Sequence, residues 1–72
     1  MPTWTRNGYV IRRYLNDHAP RHVHVFRDGQ QIGRFSHEEG RWLNVDARHA
    51  GRAKVAIDGI MAELVDWEEA NK

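Results

Sequence analysis

Two hydrophobic rhythms divide the chain. Up to Val45 the apolar residues alternate or fall in short runs between turn residues, and after Asp46 they recur at steps of three and four. The first rhythm is that of strands and the second that of one helical face. Gly8 to Leu15 (GYVIRRYL) is rich in aromatic and β-branched residues and is bounded by Asn7-Gly8 and Asn16-Asp17, which predicts a strand. His22 to Arg27 predicts a second, reached through a loop containing Asn, Asp and Pro. Asp28-Gly29 is a two-residue turn signal leading into a third strand over Gln31–Ser36, and a turn at Glu38-Glu39-Gly40 leads to a short fourth over Arg41–Val45.

Ala53, Ala56, Ile57, Ile60, Met61, Leu64 and Trp67 then define the inner stripe of a C-terminal helix. Asp46 is a candidate cap, Gly51 permits a later start, and Gly59 weakens the middle by roughly 1 kcal/mol relative to alanine. Lys54, Asp58, Glu63, Asp66 and Glu69 form its solvated face. The predicted architecture is α+β: an antiparallel meander of three to four strands packed against one C-terminal helix, as a single domain over residues 1–72.

The register of the first hairpin decides where the polar residues go. With Arg12 opposite His24 and Tyr14 opposite His22, one face gathers Val10, Arg12, Tyr14, His22, His24 and Phe26. The other gathers Tyr9, Ile11, Leu15, Val23 and Val25, an apolar set suited to the helix. A slip of one residue mixes both histidines into the apolar face, so the first register is expected.

Length and composition narrow the classes. At 72 residues the chain sits near the roughly 70–80 at which a hydrophobic core alone suffices, which leaves room for a partner surface or self-association. The absence of cysteine excludes disulfides, thiolate zinc sites and a cysteine nucleophile. No apolar run approaches the ~18 residues of a membrane span, and the N-terminus has no secretory pattern, so a soluble, cytoplasmic protein is expected. Net charge is only +1, but residues 1–34 carry six arginines against Asp17 and Asp28, and residues 55–72 carry five acids against Lys72. A basic first half rich in arginine suits a nucleic acid or an acidic protein as partner.

The candidate chemistry lies in Asp17-His18-Ala19-Pro20-Arg21-His22-Val23-His24, which holds three of the five histidines. Residues two apart on a strand share a face, so His22 and His24 can act on one ligand. As an acid–base pair they would suit RNA cleavage, with Arg12 and Arg21 binding phosphate, Asp17 orienting an imidazole, and His18 and Tyr14 contributing to binding. That enzyme would be a metal-independent endoribonuclease. As ligands, His18, His22 and His24 would suit zinc or another transition metal, although no cofactor is favoured. The remaining alternative is that these histidines organise the loop or contact a partner. His37 and His49, isolated in the sequence, are expected to face solvent, and Trp67 to join the core. Trp4 and Trp42 are left between a core edge and a binding patch.

The aromatic strand Tyr9–Leu15, the histidine motif and the closing run Glu63-Leu64-Val65-Asp66-Trp67 together resemble a bacterial family of small domains of unknown function. Arg21 stands where a second proline is common in that family. The resemblance implies a small protein encoded beside another, in an arrangement suggestive of toxin–antitoxin pairs. It assigns no catalytic residue. The functional expectation is therefore a component of a toxin–antitoxin-like pair that contacts a cognate small protein and binds or cleaves RNA at a histidine-rich sheet face. A non-catalytic protein-binding module and a small metal-binding protein are the alternatives.

Overall fold

The computed structural model describes residues 2–14 and 19–71. The chain runs β1 (Thr3–Arg6), β2 (Tyr9–Arg12), β3 (Val23–Arg27), β4 (Gln30–Ser36), β5 (Arg41–Val45) and α1 (Ala50–Ala70). The strands form one sheet in the order β1-β2-β3-β4-β5, with every neighbouring pair antiparallel. The α+β meander and terminal helix are as expected, with five strands in place of three or four.

The added strand is β1, and its signal is visible in the chain. Asn7 and Gly8 adopt φ of 54° and 81°, and Asp28 and Gly29 repeat this with 53° and 80°. Two successive positive φ values are what a two-residue hairpin turn with the right twist requires, and Asn-Gly or Asp-Gly meets that need at least steric cost. Asn7-Gly8 is thus the tip of a β1–β2 hairpin as well as the boundary of β2.

The β2–β3 register is the expected one: Val10 faces Phe26, Ile11 faces Val25 and Arg12 faces His24. The ladder stops there, short of the expected Tyr14–His22 pair, and β2 is shorter than the predicted run to Leu15. Leu15, Asp17 and His18 lie outside the described residues.

The core fills the space between sheet and helix. Tyr9, Ile11, Val23, Val25, Ile32 and Phe35 from the strands meet Ala53, Ala56, Ile57, Ile60 and Leu64 from α1, and Trp4, Trp42, Val45 and Met61 pack against them. Fully burying each of Ile57, Ile60 and Leu64 contributes about 1.5–3 kcal/mol. Trp67 stays partly exposed, so the fully buried stripe ends at Leu64 rather than at the tryptophan.

The helix does not use Asp46 as its cap. His49 occupies the N-cap position without a side-chain hydrogen bond, and Asp46 instead accepts from the Arg48 backbone N–H at 3.0 Å. The Asp46 side chain also pairs with the Arg48 guanidinium, which lowers the aspartate pKa to about 2. No helix among the described residues is long and apolar enough to cross a membrane.

Candidate functional site

Because α1 covers one face of the sheet, the other is left open across its middle strands. The pairings Thr3–Arg12, Arg12–His24, His24–Arg34 and Arg34–Asn44 run straight across five strands. They place an imidazole between two arginines on adjacent strands, which are spaced about 4.8 Å apart. The adjoining row is Thr5, Val10, Phe26 and Gln31. None of these open-face residues is acidic.

Local contacts fix several of these side chains. The Arg12 guanidinium lies over the Phe26 ring, 5.6 Å from its centroid. Tyr14 meets His24 edge to face at 4.6 Å, and His24 lies 5.0 Å from His22 at a tilt of 50°. Arg34 shares the Asn44 side-chain oxygen between its backbone N–H, at 3.0 Å, and its Nε, at 3.4 Å. Among the described residues no carboxylate pairs with Arg12 or Arg34, so both guanidiniums can still take an anion bidentately.

The two motif histidines differ in access. His24 is half-buried, whereas His22 is only 6% exposed and places Nδ1 2.8 Å from the Pro20 carbonyl. With that carbonyl as acceptor, Nδ1 carries the proton, as in an orienting contact that fixes an imidazole. At a 5.0 Å ring separation the pair is in packing contact, leaving no room for a phosphate between the rings. Of the set His18, His22 and His24, His18 lies outside the described residues; among the described residues no group of three His, Asp or Glu could hold a metal.

Arg21 belongs to a different arrangement at one end of the sheet. Its backbone N–H donates to Glu38 at 2.7 Å, and its carbonyl accepts from the buried Ser36 hydroxyl at 3.1 Å. The Ser36 hydroxyl in turn accepts from the Glu39 backbone N–H, so the β4–β5 turn pins the end of the histidine motif. The Arg21 side chain comes within 3.9 Å of both Glu38 and Glu68.

Glu68 is the hub of that end. It accepts from Arg13 Nε and Nη2 at 3.2 and 3.0 Å, and its other oxygen lies 2.6 Å from His37 Nε2. The side chains of Arg13, His37 and Glu68 are 7%, 5% and 14% exposed. His37, expected to face solvent, is therefore buried. It binds Glu68 because the β4–β5 turn folds it against the last turns of α1. Burial pushes its pKa below the ordinary 6.5; Glu68 opposes this while Arg13 and Arg21 reinforce it. His37 Nδ1 is buried without a hydrogen-bond partner, and a second proton placed there would be an unsatisfied charged donor.

His49 is likewise not solvent-facing alone: its Nδ1 lies 2.8 Å from the Tyr9 hydroxyl, and the two rings pack edge to face. Trp4 and Trp42 resolve as core-edge residues. Comparison of the chain with protein families, with curated proteins and with solved structures finds no match.

Proposed function

We propose that the protein is one member of a toxin–antitoxin-like pair and that it binds single-stranded RNA on the open face of its sheet. The observation that carries the reading is the Arg12–His24–Arg34 row, flanked by the Phe26 and Tyr14 rings, in which no carboxylate among the described residues pairs with either arginine. Guanidiniums supply bidentate phosphate contacts, and the half-buried Phe26 and Tyr14 rings offer surfaces for base stacking, worth about 1–3 kcal/mol per base. The row spans the sheet, as suits splayed-out bases rather than a small substrate. The toxin–antitoxin context rests on the histidine-motif resemblance, with a cognate small protein as second member.

Binding is favoured over cleavage because His22 is buried and in ring contact with His24. His24 then contributes a hydrogen bond rather than one half of an acid–base pair. Fluorescence anisotropy with a short single-stranded RNA tests this. Replacing Arg12 and Arg34 together by alanine should weaken binding at least tenfold at low salt and reduce the log–log salt slope by about 1.4, the value for two phosphate contacts. Unchanged affinity in that variant removes the RNA reading, and RNA shortened by the wild type but not by His24→Ala replaces binding with cleavage. Co-expression with the product of the adjacent gene should give a stoichiometric complex, and failure to form one removes the paired context.

A further inference from the structure

On the helix side of the sheet, a cleft of about 300 Å³ lies between the β1–β2 turn and the first turns of α1, lined by Asn7, Tyr9, Arg27, Arg52 and Val55. We infer that this cleft is a separate anion site that takes the phosphate monoester group of a small molecule, held between the Arg27 and Arg52 guanidiniums. Two of its five lining residues are arginines and none is acidic.

Arg27 is held ready for such a ligand. Its Nη1 donates to the Asn7 carbonyl at 3.1 Å, and its guanidinium lies over the Tyr9 ring, 5.0 Å from the centroid. Gly8 makes this possible, since a Cβ there would collide with Nη1. Among the described residues the carboxylate paired with Arg27 is Asp28, which is 92% exposed and 3.8 Å away, a weak competitor for a guanidinium. The Tyr9 hydroxyl is engaged with His49, so the ring serves as a fixed back wall.

Arg52 supplies the second, uncommitted charge. It is exposed and makes no hydrogen bond or ion pair among the described residues. The first turn of α1 contains no acidic residue, so no carboxylate on the helix neutralises this corner. Val55, 61% exposed, adds an apolar contact at the rim. The volume is at the lower end of small-molecule sites, which suits a phosphorylated sugar or a mononucleotide rather than a larger cofactor.

A phosphate monoester could also come from the end of an RNA chain, and the probes distinguish the sources. Inorganic phosphate, a nucleoside 5′-monophosphate, and short RNAs with and without a 5′-phosphate are titrated separately against the ¹⁵N-labelled full chain. The expected result is saturable shifts confined to the amides of residues 7–9 and 50–53 with phosphate and with the mononucleotide. The same amides should shift no further with the 5′-phosphorylated RNA than with its 5′-hydroxyl counterpart. Arg52→Ala, at an exposed position, should weaken the affinity roughly tenfold, the loss of one charge-assisted contact, and Arg12→Ala should leave it unchanged. Non-saturating shifts spread over all arginines, an affinity unaffected by Arg52→Ala, or binding abolished by Arg12→Ala would each overturn the site. A response to the 5′-phosphorylated RNA alone would overturn the small-molecule assignment. Because the open-face variant and the Arg52 variant are read separately, failure here leaves the RNA proposal standing and the reverse holds as well.

Discussion

Arg12 and Arg13 are neighbours in the chain and opposites in the structure. Arg12 projects onto the open face, over Phe26 and next to His24, with no carboxylate beside it among the described residues. Arg13 points inward and is closed around by Glu68, beside His37. The open row and the closed network use the same residue types, arginine and histidine, and their arginines differ in whether a carboxylate among the described residues answers them. Half of the arginines in the basic first half are answered by the helix: Arg6 pairs with Glu63, and Arg13 and Arg21 with Glu68. A charge-split sequence is thus first a statement about how helix and sheet dock, and only the cations left over speak for a partner.

The contrast predicts its largest effect at Glu68. Glu68→Ala strands a buried guanidinium and should cost about 3–5 kcal/mol, measured by urea denaturation. Against a total of roughly 4–11 kcal/mol for a chain of this length, that leaves a barely folded protein. Replacing both partners, Arg13→Met with Glu68→Leu, should recover much of the loss because no buried charge is then left alone. A cost for Glu68→Ala below about 1 kcal/mol, the range of exposed pairs, would erase the distinction between the two regions.

A smaller effect should appear in pH dependence, carried by His37. Its folded pKa lies below the ordinary 6.5, so between the two values the unfolded chain binds more protons than the folded one. The neutral imidazole's contribution is therefore complete above 6.5 and is lost as pH falls toward the lowered value. Thermal melts from pH 8 to pH 5 should show Tm falling below about 6.5 in the wild type, with a flatter profile in His37→Gln. An identical slope in the variant would mean that another group carries the acid sensitivity.

Much of this was legible in the chain. The alternation of Val10, Arg12, Phe26 and His24 against Tyr9, Ile11, Val23 and Val25 placed the open face correctly, because a one-residue slip would bury the polar set. β1 was missed because Asn7-Gly8 reads as a strand boundary until Thr3–Arg6 is also read as a hairpin arm. The closed network was missed for a different reason. Arg13 shares the inward parity of Tyr9 and Ile11, and Glu68 extends the Ile60, Leu64 spacing by one more turn. Each breaks an apolar stripe on its own. Only the pair, 55 residues apart in sequence, makes sense of both.

The smallest effect on stability belongs to the open row, and its smallness is informative. Arg12→Ala and Arg34→Ala should each change the unfolding free energy by no more than about 0.5 kcal/mol, since neither guanidinium has a carboxylate to lose among the described residues. Arg34 gives up one long bond to Asn44, and Arg12 its contact with the Phe26 ring. The same substitutions should weaken RNA binding, so function and stability separate at this face and coincide at Glu68. Urea titrations alongside anisotropy measure both on one sample. If Arg12→Ala costs as much stability as Glu68→Ala, the row is part of the scaffold, and its exposed cations lose their claim to a partner.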